Sequence, residues 1–203
     1  RGDKVLEVLS GLKEGDKVVT NGNLLIDGQA EMNRSFMSPV EPPKHSAQPV
    51  AQISEPLQKA VRSFVDVADA MAAALAADDL TQFNKSSESA MEKTGALVES
   101  LRSAEGANEN LESLDKTRQF HGFDDLQKAR VAFHAFTVAA TAVLEPLRTA
   151  DGAPAFDVWE CAMVDQAIPN APKKGRWVQK PGRAGENPFF GKEMLNCAKE
   201  IKR

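Results

Sequence analysis

The sequence predicts an α+β chain that is mainly α. Part of a small β domain is followed by a Pro-rich linker, then by an up-down bundle of three or four helices that ends in a small irregular lobe. Three observations carry this. Apolar residues recur with helical period between residues 54 and 150. Short β-prone runs separated by turn residues fill the first 33 positions. Pro and Gly recur after residue 150, where both Trp and both Cys lie. A chain of 203 residues has room for one ordinary domain and a small module beside it.

In residues 1–33, Val5, Leu6, Val8 and Leu9 form a short β-prone run, and residues 17–20 a second strand. Gly11 to Asp16 is the turn between them. Asn21-Gly22-Asn23 is another turn signal, because Asn and Gly tolerate positive φ. Two or three strands cannot close a core, so this zone reads as the tail of a β domain. Residues 34–53 are the linker: Pro39, Pro42, Pro43 and Pro49 lie among Ser, Gln and Glu, a composition that stays extended.

Residues 54–203 form the helical domain with its C-terminal lobe. Ser54 is placed to cap the first helix, and Pro56 fits its first turn. Leu57, Val61, Phe64, Ala68, Met71 and Leu75 repeat at alternating four- and three-residue spacing, one apolar stripe along about six turns. Asp78-Asp79 breaks this helix. Leu80, Phe83, Ser87, Ala90, Thr94, Leu97 and Leu101 continue the pattern more weakly, up to a break at Gly106 and Asn108. A short helix follows around Asn110 to Phe120. A longer one starts after Gly122, with Leu126, Ala129, Phe133, Phe136, Ala140, Val143 and Leu147 on one face. Residues 156–159 and 176–179 read as a pair of short strands. Residues 191–202 read as a terminal helix or as a loop with one helical turn.

Composition excludes several functions. Charged residues make up 27%, and the net charge of −4 opposes a nucleic-acid binder that works through overall basic charge. No apolar stretch approaches the roughly 18 residues of a membrane span. The chain opens on Arg1-Gly2-Asp3 in a polar segment that is not a signal peptide, and reads as a fragment of a longer protein. No HExxH, CxxC, GxGxxG, Walker A or GxSxG pattern occurs, and nothing argues for an enzyme. Asp78-Asp79 and Asp124-Asp125 are helix-start charges favoured by the macrodipole. His134, between Phe133 and Phe136, reads as a core-edge residue; His121 marks a helix boundary and His45 lies in the linker.

One constellation carries chemistry: Cys161-Ala162-Met163 with Met194-Leu195-Asn196-Cys197. Thiolate and thioether are soft donors that select Cu(I) or Ag(I) over hard cations. In a strand, Cys161 and Met163 would share a face. In a helical turn, Met194 and Cys197 would again share one. The alternative is a Cys161–Cys197 disulfide closing a loop of about 37 residues, with both Met filling gaps in the core. A reduced pair binds metal and an oxidised pair does not.

Two resemblances place these residues in context. Residues 5–27, with Gly11-Leu12-Lys13-Glu14-Gly15-Asp16, Val18-Val19 and Leu25-Ile26-Asp27, resemble the close of the membrane-proximal β domain in periplasmic adaptor subunits (membrane fusion proteins) of heavy-metal resistance–nodulation–division efflux pumps. Gly28-Gln29 stands where that family often has Ser-Glu. Residues 55–203 resemble a helical domain of unknown function often fused behind such adaptors, marked by a CPM tripeptide, a G–WL stretch and NPYFGxxMLxCG. Cys161-Ala162-Met163, Gly175-Arg176-Trp177-Val178 and residues 187–198 occupy those places, with Ala162 for Pro and Ala198 for Gly. The resemblance implies a periplasmic location, an inner-membrane resistance–nodulation–division transporter and an outer-membrane channel as partners, and copper or silver as the metal.

Overall fold

A computed structural model of the chain describes residues 53–105 and 109–202. The expected β fragment 1–33, nearly all of the linker, and the break at Gly106 and Asn108 lie outside the described residues.

The structure is mainly helical, with one small antiparallel sheet. Helix α1 spans Glu55–Ala76. Ser54 holds the cap position with extended backbone and accepts the Gln58 N–H on its carbonyl, but its hydroxyl makes no capping bond. All six residues of the expected stripe are buried, and Ala60, Val65, Val67, Ala72, Ala74 and Ala76 are buried with them. The wider burial follows from position. Helix α1 packs against α2 (Leu80–Ser87), α3 (Ala90–Glu105), α5 (Leu126–Leu144) and the sheet. It is the central helix, and its many Ala residues let those neighbours approach.

The two Asp pairs divide their labour. Asp79 caps α2 by accepting the Gln82 N–H at 2.8 Å, and Asp125 caps α5 by accepting the Lys128 N–H at 2.8 Å. Asp78 does something else: it takes a left-handed turn (φ 57°) and pairs with Arg130 of α5. The expected continuous run after Asp79 splits at Glu88-Ser89 into α2 and α3. Ser87 turns its hydroxyl back to the Asn84 carbonyl, the local competition that makes Ser a weak helix residue.

Helix α4, Glu109–Thr117, stops three residues short of Phe120. Phe120 instead joins a ring cluster with Phe83, Phe123 and Phe136. Asn84 clamps this segment, exchanging two 2.9 Å bonds with the Phe123 backbone. After α5 a 3₁₀ turn, Glu145–Thr149, buries Leu147.

Strands β1 (Asp157–Cys161) and β2 (Gly175–Gln179) pair antiparallel, from Asp157 opposite Gln179 to Cys161 opposite Gly175. A short helix, α6 (Val164–Ala167), lies in their connection. Of the two readings of residues 191–202, the loop with one helical turn is nearer than the terminal helix, but neither includes a strand. A 3₁₀ turn, Gly191–Glu193, is followed by strand β3 (Lys199–Ile201), which pairs with the other edge of β1. The sheet order is therefore β2-β1-β3. A three-residue edge strand is too short to show alternation, so only the free edge of β1 decides its conformation. Phe156, Val158, Trp177 and Phe189 belong to the same core as the helices, so lobe and bundle share one interior.

Candidate metal centre

Cys161 is the last residue of β1, opposite Gly175. Alternation along paired strands puts Cys161, Gly175, Trp159 and Trp177 on one face of the sheet. The segment 187–198 covers that face. Phe189 meets Trp177 edge-on at 5.7 Å, and a Cβ on Gly175 would come within 3.2 Å of its ring. Glycine at 175 therefore makes room for the covering segment beside Cys161.

The segment is anchored on its far side by helices. Arg130 of α5 donates to the Pro188 carbonyl at 3.2 Å and to the Leu75 carbonyl at 3.2 Å, and pairs with Asp78. Asp78 also accepts the Lys192 N–H at 3.3 Å. Gly191, at φ +61°, lies against both Asp78 and Arg130, where a side chain has neither the backbone conformation nor the space. A turn then closes from the Met194 carbonyl to the Cys197 N–H at 3.1 Å.

This brings the two thiols together. Cys161 Sγ and Cys197 Sγ lie 3.8 Å apart and are not bonded. Cys161 is fully buried and Cys197 half-buried, so the pair opens to solvent on the Cys197 side. Burial pushes the Cys161 thiol above its ordinary value, opposed by the polar surroundings that the Met163 backbone and the Asn187 amide supply. Asn187 is fully buried.

Met163 does not lie in the strand, which ends at Cys161. It stands at the start of α6 and packs half-buried against the core. The shared-face argument from strand alternation therefore does not apply to Cys161 and Met163. Met194, half-buried, begins the turn that ends at Cys197, but its backbone (φ −142°, ψ 51°) is not helical, so the shared-face argument from a helical turn does not apply to this pair either. Among the described residues no group of three or more His, Cys, Asp or Glu comes together, so thioethers or outside ligands would have to complete a site built on the two thiols.

His134 lies edge-on to Phe189 at 5.6 Å, and burial holds its pKa below the ordinary histidine value, as a core-edge imidazole requires. An open groove lined by Ser63, Asp66, Lys85 and Lys93 includes none of the thiol or thioether residues. Sequence reasoning gave no role to Asn187, Gly175 or Arg130. Gly175 and Asn187 show in the sequence only as positions of the G–WL and NPYFG stretches, and Asn187-Pro188 also fits a turn initiator.

At 3.8 Å the two thiols are in contact, close enough to share an S–H···S bond, and the distance also matches that of two sulfurs on one metal. Two metal–sulfur bonds of about 2.3 Å at a tetrahedral to trigonal angle place their sulfurs roughly 3.7–4.0 Å apart. A disulfide requires about 2.05 Å. Comparison with protein-family models, with curated proteins and with solved structures gives no significant match. Among the described residues no helix is long and apolar enough to cross a membrane.

Proposed function

We propose that this chain is a periplasmic adaptor component of a cation efflux pump, and that its helical domain holds Cu(I) or Ag(I) between Cys161 and Cys197 and hands it on. The partners are an inner-membrane resistance–nodulation–division transporter and an outer-membrane channel. The thiol approach at 3.8 Å carries the metal reading; the resemblances at residues 5–27 and 161–198 carry the pump context.

Binding releases the thiol protons, so loading is favoured as pH rises. The ion enters on the Cys197 side, because Cys161 has no solvent-exposed surface. Met163 and Met194 would complete the coordination as neutral thioethers. They add softness without charge, which keeps the ion exchangeable.

Affinity for Ag(I) tests the assignment. Replacing Cys161 or Cys197 by Ser weakens binding much more than replacing Met163 or Met194 by Leu, because only the thiolate brings charge to the ion. A double Cys→Ser variant that binds as tightly as the parent places the ion elsewhere, with His134 the next residue to replace.

A second reading rests on the same proximity. Cys197 is two residues before β3, which pairs with the strand that ends at Cys161, so a disulfide would staple neighbouring strands. In that reading the domain is a docking module without metal. A thiol count on unreduced protein separates the two: two alkylated cysteines for the metal reading, none for the bridge.

A further inference from the structure

We infer that Asn187 is the positioning residue that sets Cys197 against Cys161, holding the two sulfurs at a separation one ion can bridge. Its backbone and side chain are both committed to this. The Asn187 N–H donates to the Leu195 carbonyl at 2.8 Å, and its carbonyl accepts the Gly191 N–H at 3.0 Å. Its side-chain Oδ1 accepts the Phe189 N–H at 3.0 Å. Its Nδ2 donates to the Cys197 carbonyl at 3.1 Å. One buried amide thus ties the main chain of Cys197 to the turn that carries Phe189, whose ring packs against Gly175, the residue opposite Cys161.

No other residue type replaces this set. Asp has the size and keeps the acceptor for Phe189, but has no N–H for the Cys197 carbonyl. Leu fills the space with neither. The arrangement matches the outer shell of metal sites, where groups that orient the ligands matter nearly as much as the ligands. The metal part of this inference rests on the proposed function. The positioning part does not, and can be read without metal.

The experiment uses the full chain, reduced, with Asn187→Asp and Asn187→Ala beside the parent. The first readout is a bifunctional thiol reagent that fluoresces only when both arms react, a measure of sulfur proximity. The second is Cu(I) affinity by competition with a chromophoric chelator. The third is near-ultraviolet circular dichroism, which reports the packing of Trp159 and Trp177. We expect both variants to keep the near-ultraviolet spectrum, to crosslink at least about tenfold more slowly, and to bind Cu(I) about 10–100-fold more weakly.

Crosslinking at the parent rate in either correctly packed variant overturns the inference. So does loss of the near-ultraviolet spectrum in both, since Asn187 would then hold the lobe together and not the thiols. A parent that crosslinks through Asn187 but binds no Cu(I) supports the positioning role and removes the metal function.

Discussion

At the scale of single residues, the thiol site depends on what is absent as much as on what is present. A methyl group on Gly175 would stand 2.8 Å from Val164 Cγ2 and 3.2 Å from the Phe189 ring. Neither neighbour has room to retreat, because both are buried. Gly175→Ala should therefore destabilise the domain by about 1–3 kcal/mol in urea unfolding. A change within ±0.5 kcal/mol would show that the covering segment yields. Cys161 makes a prediction of the opposite kind, about charge. Its thiol pKa is raised in the folded state, chiefly by burial, so the folded chain holds that proton longer than the unfolded one. The stability this contributes is complete below the ordinary thiol value, and is lost as pH rises through the raised one. Metal-free reduced protein should lose stability from about pH 8 upward. Cys161→Ala should lose less over the same range, and an identical slope in the two proteins would remove burial of this thiol as the cause.

At the scale of elements, the segment 187–198 belongs to no regular structure, yet it is fixed from both sides. The sheet holds it through Phe189, and α5 and the α1–α2 corner hold it through Arg130 and Asp78 respectively. Arg130→Met removes the pair and the bond to Pro188. Asp78 keeps some solvent contact, so the cost should be about 1–3 kcal/mol, below that of breaking a fully buried pair. Hydrogen exchange at residues 191–197 should quicken while that of α1 is unchanged. Uniform acceleration would make Arg130 a general brace of the fold. What the sequence discloses at this scale follows the strength of its periodicity. The stripe from Leu57 to Leu75 and the face from Ala129 to Val143 are legible because each spans several turns. Strands β1 and β2 are legible from short runs around their Trp residues. The end of α4 is not, because Phe120 leaves the helix for a ring cluster assembled from distant segments. Strand β3 is not, because three residues carry no pattern. The cysteines announce themselves by residue type. Asn187 does not, because its role exists only once the chain has brought residues 161 and 197 together.

At the scale of the molecule, helices and sheet share one core between residues 53 and 202, running from Leu57 of α1 to Phe189 of the covering segment. Lobe and bundle should therefore melt together. Deletion of residues 1–47 should leave the helical circular-dichroism signal and a single cooperative transition, and a second transition or loss of the signal would show that the core needs more of the chain. The shared core also explains how two cysteines 36 positions apart can meet at 3.8 Å: one is fixed by the sheet, the other by a segment wedged between the sheet and the helices. Whether that meeting serves an ion is decided most directly by anaerobic titration of the reduced full chain with Cu(I) against a competing chelator. We expect one equivalent bound per chain, lost when Cys161 and Cys197 are both replaced by Ser. No competition by the parent protein, or undiminished binding by the double variant, would contradict it.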